Sequence, residues 1–75
     1  MNRKSADVLQ NTIRVERARR GLTQEQLADL VGVTRKTINT VENGRFIPST
    51  VLALKLASAL EVPVERLFFL ARAPR

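Results

Sequence analysis

TQEQLADLVGVTRKTINTVENG, Thr23–Gly44, decides the fold. Thr23 is a helix N-cap, and Gln26 three residues later completes a capping-box pattern. Leu27, Ala28, Leu30 and Val31 recur at helical spacing and predict the apolar stripe of one helix. Gly32 ends that helix, and only Val33 stands before the next cap, Thr34. A joint this tight predicts a helix–turn–helix.

The second helix of the pair is predicted from Arg35 to Asn43, with Gly44 as its stop. At about 100° per residue, Arg35, Asn39, Asn43, Lys36 and Thr40 fall in one arc of about 140°. Thr37, Ile38 and Val41 fall opposite, and Glu42 borders Ile38. The helix is therefore anchored by a narrow Ile38/Val41 stripe and leaves a broad polar face outside. Such a face is either solvated surface or a surface that reads something. Arg and Lys suit guanine, Asn suits adenine, and a Thr methyl suits the thymine methyl.

Working outward, a first helix is predicted from Asn11 to Arg20, capped by Asn11 and closed by Gly21. Ile13, Arg17 and Leu22 mark its inner side; Arg14, Arg19 and Arg20 are free to face outward. Arg45 to Pro48 form a loop, and Pro48-Ser49 signals a further start, with Ser49 as cap. The helix from Thr50 to Leu60 is nearly all apolar, which predicts a buried central helix. A short fifth helix, Val64 to Leu67, follows Pro63. Two stray apolar segments remain, at 7–10 and 67–71. They are either strands that pair, within or between subunits, or frayed helix ends. A two-stranded ribbon is marginal unless packed on something.

At 75 residues the chain makes one modest core, and a hydrophobic fraction of 44% is enough to fold it. With three Phe and neither Trp nor Tyr, that core must be aliphatic. There is no Cys and no His. Disulfides, thiol nucleophiles and the usual metal ligands and acid–base groups are therefore missing, and no cofactor is expected. The cysteine-free composition fits a reducing cytoplasm. No apolar run approaches the roughly 20 residues of a membrane span, and the first residues carry no hydrophobic signal core. Net charge is +6, which points to a polyanionic partner such as nucleic acid. Residues 1–22 hold six basic and two acidic groups, an excess of +4, whereas residues 23–48 hold three of each. Arg3, Lys4, Arg14, Arg19 and Arg20 are candidate phosphate contacts or merely solvated. RNA is disfavoured, because no aromatic platform for stacking exists.

GLTQEQLADLVGVTRKTINTVENGRFIPS, Gly21–Ser49, and the VLALKLASALEVPVERLF that follows resemble the Cro/phage-repressor (Xre-like) helix-turn-helix family. The pattern Gly-Leu-Thr-Gln, Leu-Ala, Gly-Val-Thr, Ile, Glu-Asn-Gly, Pro-Ser holds in order and spacing, and the resemblance covers residues 11–69. It implies an all-α, compact five-helix bundle of lambda-repressor-like type, with an N-terminal arm (1–10), a DNA-binding domain (11–70) and a short tail (71–75). It implies that the second helix of the pair lies in the major groove of double-stranded DNA. Thr34, Arg35, Lys36, Asn39 and Thr40 then stand where relatives read bases or nearby backbone. Gln24, Asn43 and Arg45 stand where relatives hold phosphate, and Arg17 and Glu42 match a structural ion pair. Read without the resemblance, Gln24 is first-turn filler or a phosphate ligand at free N–H groups. Arg17 is a phosphate contact or the partner that a half-buried Glu42 needs; the pair is preferred.

Two positions depart from the family. Where relatives have Gly at the end of the fourth helix, this chain has Glu61. Either Glu61 takes a positive φ, at about 1 kcal/mol, or the helix ends differently. Where relatives favour a Ser cap, this chain has Pro63, which lacks a side-chain acceptor but suits a first helical position.

The expectation is a sequence-specific transcriptional regulator without catalytic activity, a repressor acting as a homodimer on a palindromic operator. It would be cytoplasmic and nucleoid-associated, encoded by a bacterium or phage. One recognition helix makes few base contacts, and two half-sites multiply them. Leu67, Phe68, Phe69 and Leu70 are the candidate dimer surface. The alternative is an interaction module with a protein partner, such as a toxin-neutralising antitoxin.

Overall fold

The computed structural model describes residues 7–72. In chain order these form β1 (Asp7–Asn11), α1 (Ile13–Arg19), α2 (Gln24–Val31), α3 (Arg35–Glu42), α4 (Thr50–Leu60), α5 (Val64–Leu67) and β2 (Phe68–Arg72). Arg3 and Lys4, and the tail beyond residue 72, lie outside the described residues.

Three helices start on hydroxyl caps. The Thr23, Thr34 and Ser49 oxygens accept from the backbone N–H of Gln26, Thr37 and Leu52 at 3.0, 3.2 and 3.1 Å. The capping box at α2 is complete, because Gln26 Oε1 accepts from Thr23 N–H at 2.9 Å. Each cap satisfies a donor that the helix cannot, a contribution of about 1 kcal/mol. The first helix begins later than its residue types predict. Thr12, not Asn11, is the N-cap of α1, and Asn11 ends β1. Asn11 still serves the junction: its side-chain oxygen accepts from Ile13 N–H at 3.1 Å. Its side-chain nitrogen donates to Val41 O at 3.0 Å, across to α3.

The turn between α2 and α3 depends on Gly32, whose φ of +77° is left-handed. There Val33 N–H donates to Ala28 O at 3.0 Å and closes the helix. The same closure ends α4 with Glu61 in place of Gly. Glu61 takes φ +57°, and Val62 N–H donates to Ala57 O at 3.1 Å. The left-handed helix end is thus formed without glycine, and the strain is borne. Pro63 is the N-cap of α5 and offers no side-chain bond.

The core is aliphatic. Ile13, Leu27, Ile38, Leu56, Leu60 and Leu67 are all fully buried, so each of five helices contributes at least one anchor. Two expectations are corrected. Leu30 is 62% exposed, outside the Leu27/Ala28/Val31 stripe. Helix α4 is not buried all round. Leu52, Leu56, Ala57 and Leu60 share one face, while Val51 and Leu54 stand 62% and 52% exposed on the other. A bundle this small has one interior, and an eleven-residue helix can turn only one face to it.

The two stray apolar segments do pair, within the chain. Strands β1 and β2 are antiparallel, with Val8 opposite Ala71, Leu9 opposite Leu70 and Gln10 opposite Phe69. The ribbon persists because it is packed: Phe68 leans on the core, and Thr12 N–H donates to Leu67 O at 3.0 Å. Leu67 itself is fully buried, so it is unavailable to a second subunit, and Phe68 is half-buried. Of the four apolar tail residues only Phe69 and Leu70 stand exposed, at 40% and 64%.

Candidate nucleic-acid interface

Helix α3 packs on α2 through Ile38 and Val41, both buried. This places its polar arc outward. Arg35, Lys36 and Asn43 are exposed, and Asn39 and Thr40 are half-exposed. The Thr40 hydroxyl donates back to its own helix, to Lys36 O or Thr37 O at 3.1 and 2.9 Å. The Thr34 hydroxyl is committed to the cap and lies 3.1 Å from that of Thr37. Arg45 is exposed in the loop just beyond α3.

Behind this face sits a charge cluster. The Glu42 side chain is only 1% exposed. Arg17 Nε donates to Glu42 Oε2 at 2.8 Å and Arg17 Nη2 to Oε1 at 3.3 Å, a two-point grip. Arg17 Nη1 also donates to Leu22 O at 2.9 Å, so the guanidinium joins α1, the turn after it and α3. Arg14 approaches Glu42 at 3.7 Å from the solvent side.

The cluster continues to the surface through Gln24. Its amide nitrogen donates to Glu42 Oε1 at 3.1 Å and to Asn39 Oδ1 at 3.2 Å. Its amide oxygen accepts from Arg35 Nη1 at 3.3 Å. Asn43 Nδ2 donates to Asn39 Oδ1 at 3.4 Å. Gln24 is thus neither filler nor a dangling surface group: both its amide hydrogens are spent inside the protein. It ties the start of α2 to the outer face of α3.

Residue types alone did not reveal several of these roles. Arg14 belongs partly to the Glu42 cluster. Arg20 is engaged by Glu16, its side chain 3.1 Å from Glu16 Oε1. Glu16 is itself buried, 4% exposed, and Arg66 of α5 approaches it at 3.9 Å. The four-residue spacing of Glu16 and Arg20 was the one available signal. Arg19 stays exposed. Among the described residues, no helix is long and apolar enough to cross a membrane.

Residues 13–67 match a family model described as helix-turn-helix. The uncharacterized HTH-type transcriptional regulator YgzD of Bacillus subtilis (strain 168) is 42% identical over 62 residues, covering 83% of this chain and 94% of its own. The HTH-type transcriptional repressor RghR of the same organism is 42% identical over 60 residues, covering 79% of this chain but 44% of its own. Among solved structures, the restriction-modification controller protein C.AhdI from Aeromonas hydrophila aligns with a TM-score of 0.69 at 41% identity. That alignment covers 72% of this chain and 82% of the other.

Proposed function

Because the chain belongs to the helix-turn-helix family of DNA-binding transcriptional regulators, which are not enzymes, we propose that it is a repressor that binds a palindromic operator as a homodimer. Helix α3 lies in the major groove of double-stranded DNA. Arg35, Lys36 and Asn39 reach base edges, Thr40 offers its methyl, and Thr34 stands beside the backbone. Asn43 and Arg45 hold phosphate. Gln24 acts at the phosphate side through the start of α2, where free N–H groups favour an anion. Its amide steers neighbouring side chains.

The observation that carries this reading is the outer face of α3. Five polar side chains converge there on a rigid helix, tied from behind to a buried ion pair. A merely solvated helix needs no such scaffold. The named repressor among the relatives supports the sign of regulation. The regulators among the relatives do not favour the antitoxin alternative.

The segment 23–48 is charge-neutral, so sequence-blind attraction falls to Arg14, Arg19 and the chain ends. A dimer would use the exposed Phe69 and Leu70 at the ribbon. Selection of binding sites from random duplex DNA tests the reading. The expected result is a motif with two symmetric half-sites about one helical turn apart. Enrichment of no motif would overturn it.

A further inference from the structure

We infer that a hydrogen-bond relay fixes Asn39 so that it presents its amide N–H pair, and not its carbonyl, to DNA. Asn39 then reads guanine or thymine rather than adenine, with Gln24 as its positioning residue. The inference rests on the reading of the outer face of α3 as the DNA-contacting face.

The relay has two ends whose polarity cannot be reversed. The Glu42 carboxylate, gripped by Arg17, offers only acceptors. The Arg35 guanidinium offers only donors. Gln24 lies between them, its amide nitrogen 3.1 Å from Glu42 Oε1 and its amide oxygen 3.3 Å from Arg35 Nη1. Turning that amide over would set acceptor against acceptor at Glu42 and donor against donor at Arg35. Its orientation is therefore determined, and its second N–H points at Asn39.

The Asn39 atom facing Gln24 must then be the oxygen, at 3.2 Å. Asn43 donates to the same oxygen at 3.4 Å. A carbonyl oxygen has two lone pairs, and both are now engaged. Among the described residues nothing accepts from Asn39 Nδ2, yet no buried side-chain nitrogen lacks a partner. That nitrogen is therefore not fully buried, and it belongs to a residue in the middle of the outward polar arc.

This changes what Asn39 can read. Adenine presents an acceptor at N7 and a donor at N6, and two-point recognition needs both a donor and an acceptor from the amide. Here the acceptor is occupied. Two N–H groups remain, which match edges that carry acceptors: guanine N7 and O6, or thymine O4. Residue type alone pairs Asn with adenine; the relay reverses that expectation.

The test is parallel selection from random duplex DNA with the wild-type chain and with Asn39→Ala, Asn39→Asp and Gln24→Met, thermal melts confirming that each is folded. The base whose preference relaxes in Asn39→Ala is the one Asn39 reads. In the wild type that base is expected to be guanine or thymine, preferred over adenine by about tenfold. Asn39→Asp keeps an inward acceptor and exchanges the outward donor for an acceptor, so preference there should move to cytosine. Gln24→Met frees the Asn39 amide to turn and should admit adenine at that position, beyond any general loss of affinity through Arg35 and the phosphate side; a purely structural role would weaken every position alike without admitting adenine. Adenine in the wild-type motif, a motif unaltered by Asn39→Ala, or no change at that base in Gln24→Met would each overturn the inference and leave DNA reading standing. Enrichment of no motif by the wild type would overturn both.

Discussion

Glu42 joins the inside of the bundle to the outer face of α3. Its carboxylate is almost fully buried and is matched by Arg17, itself 17% exposed. Removing one partner of such a pair strands the other charge in a poor solvent. Glu42→Ala should therefore destabilise the fold by about 3 kcal/mol, read from the urea unfolding midpoint. An unchanged midpoint would mean that the pair adds nothing. Part of this was legible in the sequence, because Glu42 falls beside Ile38 on the helical wheel and so faces inward. The relay through Gln24 was not. It joins residues 15 and 18 positions apart across a turn, and their meeting depends on how α2 and α3 cross. The burial of Glu16 was likewise hidden, since α5 had to fold back before Arg66 could approach it.

Among the elements, boundaries written in local chemistry were the readable ones. The caps Thr23, Thr34 and Ser49 and the stop at Gly32 act through neighbours a few residues away, so the sequence carries them directly. Burial was less readable. Helix α4 is apolar nearly all round, and composition cannot say that Val51 and Leu54 face out. The ribbon was ambiguous for a related reason: its strands are separated by the whole bundle, and only the folded helices bring 7–11 beside 68–72. One element carries avoidable strain. Glu61 holds φ +57° at the end of α4, where an L side chain is disfavoured and glycine is not. Glu61→Gly should stabilise the protein by about 1 kcal/mol, a rise of roughly 4–8 °C in Tm by calorimetry. A fall in Tm would show that the Glu61 side chain supplies something the backbone argument omits.

Across the whole molecule, the exposed apolar pair of the ribbon and the polar arc of α3 lie on different elements. Phe69 and Leu70 stand on β2, whereas the polar arc belongs to α3. On the proposed function, this separation leaves one surface for a second copy while the other meets DNA. Phe69→Asp should yield a monomer in sedimentation velocity, with the core intact because Leu67 and not Phe69 fills it; a persistent dimer would place the interface elsewhere. On the proposed function, the outer face of α3, held by the Glu42 relay, is the surface that meets DNA. Following backbone and side-chain amide NMR signals as a selected duplex is added tests this. The largest shifts are expected at Arg35, Lys36, Asn39, Thr40 and Asn43, with Val51 and Leu54 on the exposed face of α4 nearly unmoved. Shifts concentrated on α4 or on the ribbon, with α3 unchanged, would contradict it.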